Sequence, residues 1–351
     1  MERDYRLDNA KAIGIFLVVF AHVMSTSTIT NYIYLFHMPL FFFISGKTMA
    51  IKEAEMPCIK FLIRKFKTIC VPYFSFSLIF YIYWYIVERN IRDKINISTT
   101  KVLANIIIAQ GNEELFVFNV VLWFLPCLFI AQLIVFLIIK KKYSNNTEII
   151  FISILSISGY LLSKYSNIML PWVLESALIS TIFIYCGYKN ELKKKNNDNI
   201  EYFNNNRLFL LCLSLSLLIN HFFGSSNILA RKYSSYFNFI LAAFCGIYIV
   251  MYIANKFKNK YVQSVGISSL IIMLVHEPIK RVIIKVMELL LNIEGEILRK
   301  SIVFSLLITL IIILVSIIIE KIIINYFPYI IGKNNKDKRY ILSKFYKINN
   351  T

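Results

Sequence analysis

The chain has 351 residues, of which 58% are hydrophobic and 17% charged. Soluble domains carry about 25% charged residues, so this composition excludes an ordinary soluble enzyme. The net charge is +19, but the basic residues lie between apolar blocks, where they set topology; no basic aromatic groove or nucleic-acid motif accompanies them, and no nucleic acid is expected as a partner.

The apolar blocks approach the ~20 residues that span a bilayer, which makes this a polytopic membrane protein. Backbone groups in lipid must be satisfied within each segment, and continuous Ile-, Leu- and Phe-rich runs select helices over alternating barrel strands. The expected fold is an all-α bundle of about ten transmembrane helices, at 12–28, 32–50, 68–87, 115–139, 148–163, 171–188, 208–224, 236–255, 262–275 and 302–319. The first run follows a basic start but lacks a small-x-small cleavage site, so it reads as a retained span. The ninth is short, stopped by Pro278 and followed by an amphipathic piece at 279–291. With the N-terminus in the cytoplasm, inner segments carry better than twice the lysine and arginine of outer ones, which places both termini inside. Residues 1–332 form the membrane domain; 333–351 read as a basic polar tail near anionic lipid headgroups, and 196–206 as an Asn-rich cytoplasmic loop. Cys58, Cys70, Cys127, Cys186, Cys212 and Cys245 show no paired or metal-ligand spacing and read as small buried hydrophobes.

Ionisable groups inside spans are expensive and mark function by default. His22 lies in the first apolar run and His37 in the second, with Lys11 at the start of the first. In the expected topology all four histidines, including His221 and His276, fall on the extracytoplasmic side. Lys11 and His22 are eleven residues apart, close to three helical turns and roughly 16 Å, so both can face one cavity. A lysine at the inner rim suits a phosphate, and a histidine deeper in suits proton transfer. Each residue also has a plainer reading. Lys11 can be a snorkelling anchor, His22 and His37 interhelical hydrogen-bond partners, Pro39 the cause of a kink beside His37, and Arg64, Lys65 and Lys67 topology signals.

The sequence resembles the acyltransferase-3 family of integral membrane acyltransferases. Lys11, ten residues and His22 match its R/K-x10-H motif. Leu7-Asp8-Asn9-Ala10-Lys11, Val18-Val19-Phe20-Ala21-His22 and Phe36-His37-Met38-Pro39-Leu40-Phe41-Phe42-Phe43-Ile44-Ser45-Gly46 resemble the fucose 4-O-acetylase-like branch. Further similarity lies in Arg64-Lys65-Phe66 with Pro72-Tyr73, Leu122-Trp123-Phe124-Leu125-Pro126, Ser269-Leu270 with His276, and the stretch from Phe327 to Lys333. The chain departs from the larger branch at Lys11, often arginine, and at Ala12, often glycine. Trp123-Phe124-Leu125-Pro126-Cys127-Leu128 also lacks the glutamate of a W-S-L-x-x-E pattern. The resemblance implies transfer of an acyl group, usually acetyl, from cytoplasmic acyl-CoA to a hydroxyl of an envelope glycan: a capsular polysaccharide, an exopolysaccharide or a lipid-linked sugar. Acetyl-CoA would be the co-substrate, membrane lipid the surroundings, a bacterial cell membrane the location, and no metal is implied. Lys11, Arg64, Lys65 and Lys67, with Lys47, would meet the CoA phosphates. His22 would act as general base or carry the acyl group, and His37 would orient His22, bind the acceptor or stabilise the oxyanion. Ser45, Trp123 and His276 would contact substrate. The alternatives are a transporter or flippase of lipid-linked sugars, or an inactive membrane sensor.

Overall fold

Side chains at the helix starts take up the N–H groups that a first turn leaves free. In the computed structural model, which describes residues 4–53, 55–91, 97–111, 114–166, 168–196 and 203–333, Asp4 accepts from the Arg6 N–H at 3.0 Å and opens α1 (Tyr5–Val23). Ser27 and Thr30 cap α2 (Thr28–Tyr34) reciprocally. There follow α3 (His37–Lys52), α4 (Cys58–Ile91), α5 (Thr99–Ile108), α6 (Val120–Lys140), α7 (Asn145–Tyr165) and α8 (Leu174–Asn196). The order closes with α9 (Asn206–Phe223), α10 (Tyr236–Asn255), α11 (Lys260–Ile267), α12 (Ser269–Leu291), α13 (Gly295–Lys300) and α14 (Ile302–Tyr326). No strand occurs among the described residues, and the expected all-α bundle is what the chain forms. The proposed tail beyond Lys333, and residues 197–202 of the Asn-rich loop, lie outside the described residues.

Six helices, α4, α6, α7, α9, α10 and α14, are long and apolar enough to cross a membrane. Their outer faces expose large apolar residues such as Leu210, Leu211, Leu218, Val303 and Leu314. The other expected spans fall on α1, α3, α8 and the α11–α12 pair. Arg6, Asp8 and Lys11 break the apolar run of α1, and this is tolerated because α1 sits at the centre, packed on α3, α10, α11, α12 and α14. Backbones touch where α3 crosses α8: a Cβ on Gly46 would strike the Ile184 carbonyl, and one on Gly187 the Phe43 carbonyl. Small residues permit such close approach between membrane helices.

The structure corrects three spans. The second breaks into α2 and α3 at Leu35–Phe36, since Pro39 has no N–H for the Leu35 carbonyl and its ring crowds that oxygen. The third is a helix of 34 residues, about 51 Å long at ~1.5 Å per residue. Wide π turns at Phe66–Cys70 and Trp84–Glu88 interrupt it. The first precedes Pro72, and there the Val71 N–H reaches back to the Phe66 carbonyl. The ninth does not stop at Pro278: α12 runs through it to Leu291. The Leu274 carbonyl that proline leaves without its N–H instead accepts from Asn119 Nδ2 at 2.7 Å, so a side chain repairs the local defect.

Candidate active site

His22 occupies the last turn of α1, and α12 presents His276 and Glu277 to it. Its Nδ1 lies 2.8 Å from Glu277 Oε1. A carboxylate only accepts, so Nδ1 carries the proton and the lone pair of the neutral ring is on Nε2. His276 packs edge-on against His22 with ring centres 5.2 Å apart. It is fully buried, and its Nδ1–H donates to the carbonyls of Ile272 and Met273 at 3.1 and 2.8 Å. His37 opens α3 and donates from Nδ1 to the Ile33 carbonyl across the α2–α3 break, at 2.9 Å. The Tyr34 ring stands between, 6.3 Å from His22 and 5.0 Å from His37. Three of the four histidines therefore converge; His221 is exposed and packs beside Phe222.

Glu277 is buried, which would be costly for an unpaired carboxylate. Lys280 Nζ lies 2.6 Å from Oε1 and also donates to the His22 carbonyl at 3.2 Å. Arg281 Nη1 lies 3.8 Å from Oε2, while its Nε reaches Glu88 at 2.8 Å and its Nη2 the Phe118 carbonyl at 2.7 Å. A cavity of about 80 Å³ adjoins the ring of His22, bounded by Val18, Tyr34, His37, Trp123 and the Asn227–Leu229 segment. It has room for a few waters or a small acyl group, not for a sugar. The arrangement is an imidazole oriented by a carboxylate, with its free nitrogen available to take a proton.

The sequence model of the acyltransferase-3 family, an acyltransferase domain, matches residues 4–321. The chain belongs to that family. No match was found among curated proteins or among solved structures.

Membership makes the positions of the family-type residues informative. Trp123 borders the cavity of this acyltransferase beside His22 and His37. Ser45 instead takes a hydrogen bond from the Gln132 amide. The five basic residues expected at phosphates are not in one place. Arg64 and Lys65 grip Glu53 at 3.0 and 2.5 Å. Lys67 and Arg64 border a cavity of about 490 Å³. Lys47 is buried on Glu191 and Asn190, both at 2.7 Å, and Lys11 lies 3.7 Å from Asp8. Ile15 and Val18 share the helical face between Lys11 and His22; both are buried, and the cavity at His22 has Val18 in its wall but not Lys11.

His22, His276 and Glu277 offer ligand atoms within 4.8 Å of one another, a spacing that suits a metal ion. The donor set fits one poorly, because Lys280 and Arg281 hold the only carboxylate of the group. The chemistry available here is proton transfer. Sequence reasoning passed over Glu277, Lys280, Arg281 and Asn119. The signal for Glu277 was present: an acid beside a histidine at the end of an apolar run.

Proposed function

We propose that the protein is a membrane O-acyltransferase of the bacterial cell membrane, with both termini cytoplasmic, that moves an acetyl group from cytoplasmic acetyl-CoA to a hydroxyl of an envelope glycan, in the manner of the fucose 4-O-acetylase-like branch. One observation carries the reading: the 2.8 Å contact between His22 and Glu277 beside a small cavity. His22 Nε2 takes the proton of the acceptor hydroxyl as its oxygen attacks the thioester carbonyl. The C–S bond breaks, the ester forms, and the proton passes from His22 to the departing thiolate. Glu277 stabilises the imidazolium that forms in between. His37 and His276 hold the walls around it, and Trp123 closes the cavity. Lys11, Arg64, Lys65, Lys67 and Lys47 are the cations nearest in type to what the CoA phosphates require. Because they are distributed, and Arg64, Lys65 and Lys47 are already paired, the donor must displace Glu53 or Glu191 to use those three.

The test is acetyl transfer from radiolabelled acetyl-CoA by the full chain in nanodiscs, with cell-envelope glycan as acceptor. His22→Ala should abolish transfer while the protein stays folded. Lys11→Ala should raise the KM for acetyl-CoA several-fold and leave kcat close to wild type. Full activity of His22→Ala removes the base, and an unchanged KM in Lys11→Ala removes the phosphate contact. A chain that consumes no thioester under any condition is a transporter or a sensor instead.

A further inference from the structure

Attack on a thioester places negative charge on the former carbonyl oxygen, and a base alone does not stabilise that charge. The site needs hydrogen-bond donors aimed at the oxygen. The cavity at His22 is about 80 Å³, small enough that a carbonyl placed in it meets the wall on every side. Five side chains of that wall carry nitrogen or oxygen: His22, Tyr34, His37, Trp123 and Asn227. The two imidazoles do not supply the donor. His22 gives its Nδ1–H to Glu277, and His37 gives its Nδ1–H to the Ile33 carbonyl. Nε2 of each neutral ring therefore holds a lone pair and accepts.

Of the other three, Asn227 has its orientation fixed by its own turn. The Ala230 N–H donates to Asn227 Oδ1 at 3.1 Å. That N–H needs an oxygen, so the second branch of the amide is the Nδ2 group, with two protons to give. No partner of Nδ2 occurs among the described residues. The backbone beneath it is held as well. Asn227 and Lys232 exchange N–H···O bonds at 2.8 and 3.2 Å. The neighbouring Ile228 carbonyl accepts from Ser176 of α8 at 3.3 Å. Arg231, at φ +56°, ties the turn to the end of α7 through the carbonyls of Leu162 and Ser163, at 2.8 and 3.1 Å. A donor fixed in advance stabilises a developing charge without reorganising when the charge appears.

We propose that Asn227 is a catalytic residue: its Nδ2–H binds the carbonyl oxygen of the thioester and stabilises the oxyanion that forms when the acceptor hydroxyl attacks. The amide lends a hydrogen bond and keeps its proton. The proton of the acceptor goes to His22 Nε2, and the electron pair on the oxyanion returns to carbon as the C–S bond breaks. This role rests on the acyltransferase reading and adds the electrophilic half that the His22–Glu277 pair does not provide.

The test replaces Asn227 by aspartate and by leucine in the full chain in nanodiscs, with transfer from radiolabelled acetyl-CoA as the assay. Asn227→Asp keeps the size of the side chain and the oxygen that Ala230 uses, but offers an acceptor where the donor was. It should lower kcat by about a hundredfold or more and leave the KM for acetyl-CoA within about twofold. Asn227→Leu, which also frees the Ala230 N–H, should fall at least as far. A second readout needs no turnover. In a His22→Gln background, the infrared carbonyl band of bound isotope-labelled acetyl-CoA should lie at lower frequency with Asn227 than with Asn227→Asp. Wild-type kcat in Asn227→Asp overturns the proposal. A loss found only in Asn227→Leu does so too, because it marks the residue as packing. So does a loss confined to KM, or a carbonyl band that Asn227→Asp leaves in place. A wild type that consumes no acetyl-CoA sinks the acyltransferase reading and this role with it; an active wild type with an equally active Asn227→Asp sinks the role alone.

Discussion

Replacing Glu277 by glutamine isolates the charge of the carboxylate from its shape. In the structure a single oxygen, Oε1, meets both His22 Nδ1 at 2.8 Å and Lys280 Nζ at 2.6 Å. Both are donors, so the amide oxygen of Glu277→Gln takes that position, and the amide nitrogen goes to the side of Arg281. The tautomer of His22 is then preserved, with its lone pair still on Nε2, and only the negative charge is lost. A hydrogen bond to a charged group contributes about 1.5–3 kcal/mol. Since ~1.36 kcal/mol is a factor of ten in rate, kcat should fall roughly 10- to 150-fold. The KM for acetyl-CoA should stay within about twofold, because the carboxylate acts on the imidazolium formed during reaction and not on bound donor. Steady-state transfer in nanodiscs, with folding checked by size exclusion and thermal unfolding, measures both constants. A kcat within twofold of wild type would refute the role given to the pair. A loss confined to KM would refute the assignment of Glu277 to the chemical step.

Other outcomes follow from the same contacts. Asn119→Leu leaves the Leu274 carbonyl without the donor that Pro278 cannot supply; it should lower stability by about 1–3 kcal/mol in denaturant titration and reduce kcat as α12 shifts. Gly46→Ala places a methyl on the Ile184 carbonyl, an overpacking that should cost about 1–3 kcal/mol, seen as a lower Tm in detergent, while an alanine at exposed Ser214 should do little. Burial alone would raise the Asp4 carboxyl at the head of α1, but Lys194 at 2.8 Å and the Arg6 N–H outweigh it and hold it below the usual value. Its contribution is therefore full above the unfolded value near 3.8 and is lost as pH falls through the depressed folded one, so Tm should drop less steeply below pH 4 in Asp4→Asn than in wild type. Finally, Glu277→Met and Lys280→Met should each destabilise by about 3–5 kcal/mol, whereas the double variant should recover most of that loss and still transfer no acetyl.

Hydropathy made most of the bundle readable, because α4, α6, α7, α9, α10 and α14 carry long apolar runs of their own. The inner helices were harder. α1 keeps Arg6, Asp8 and Lys11 because its neighbours, not lipid, surround it, and no local rule reports what surrounds a segment. The two prolines show the same limit. Pro39 breaks its span where the local rule says it should. Pro278 does not, because the rescuing amide of Asn119 comes from a position 155 residues before the Leu274 carbonyl it repairs. The histidines stood out as rare ionisable groups in apolar sequence. The partner of His22 did not: Glu277 is 255 residues distant, and their meeting is set by how α12 crosses α1.

The convergence at Glu277 also bears on why the chain carries it at all. A buried ion pair is weak support for stability, since apolar side chains of similar volume often do as well or better. Here one carboxylate is shared by His22, Lys280 and Arg281, and Arg281 is tied in turn to Glu88 and to the Phe118 carbonyl. That network joins α1, α4, α12 and the segment before α6, and it separates a cavity of about 80 Å³ at His22 from one of about 930 Å³ at Arg299. Leucines in these places could hold the four elements together. They could not fix which imidazole nitrogen bears the proton. The network supplies that orientation beside the small cavity at His22, and this, more than the number of its charges, is what the proposed acyl transfer would draw on.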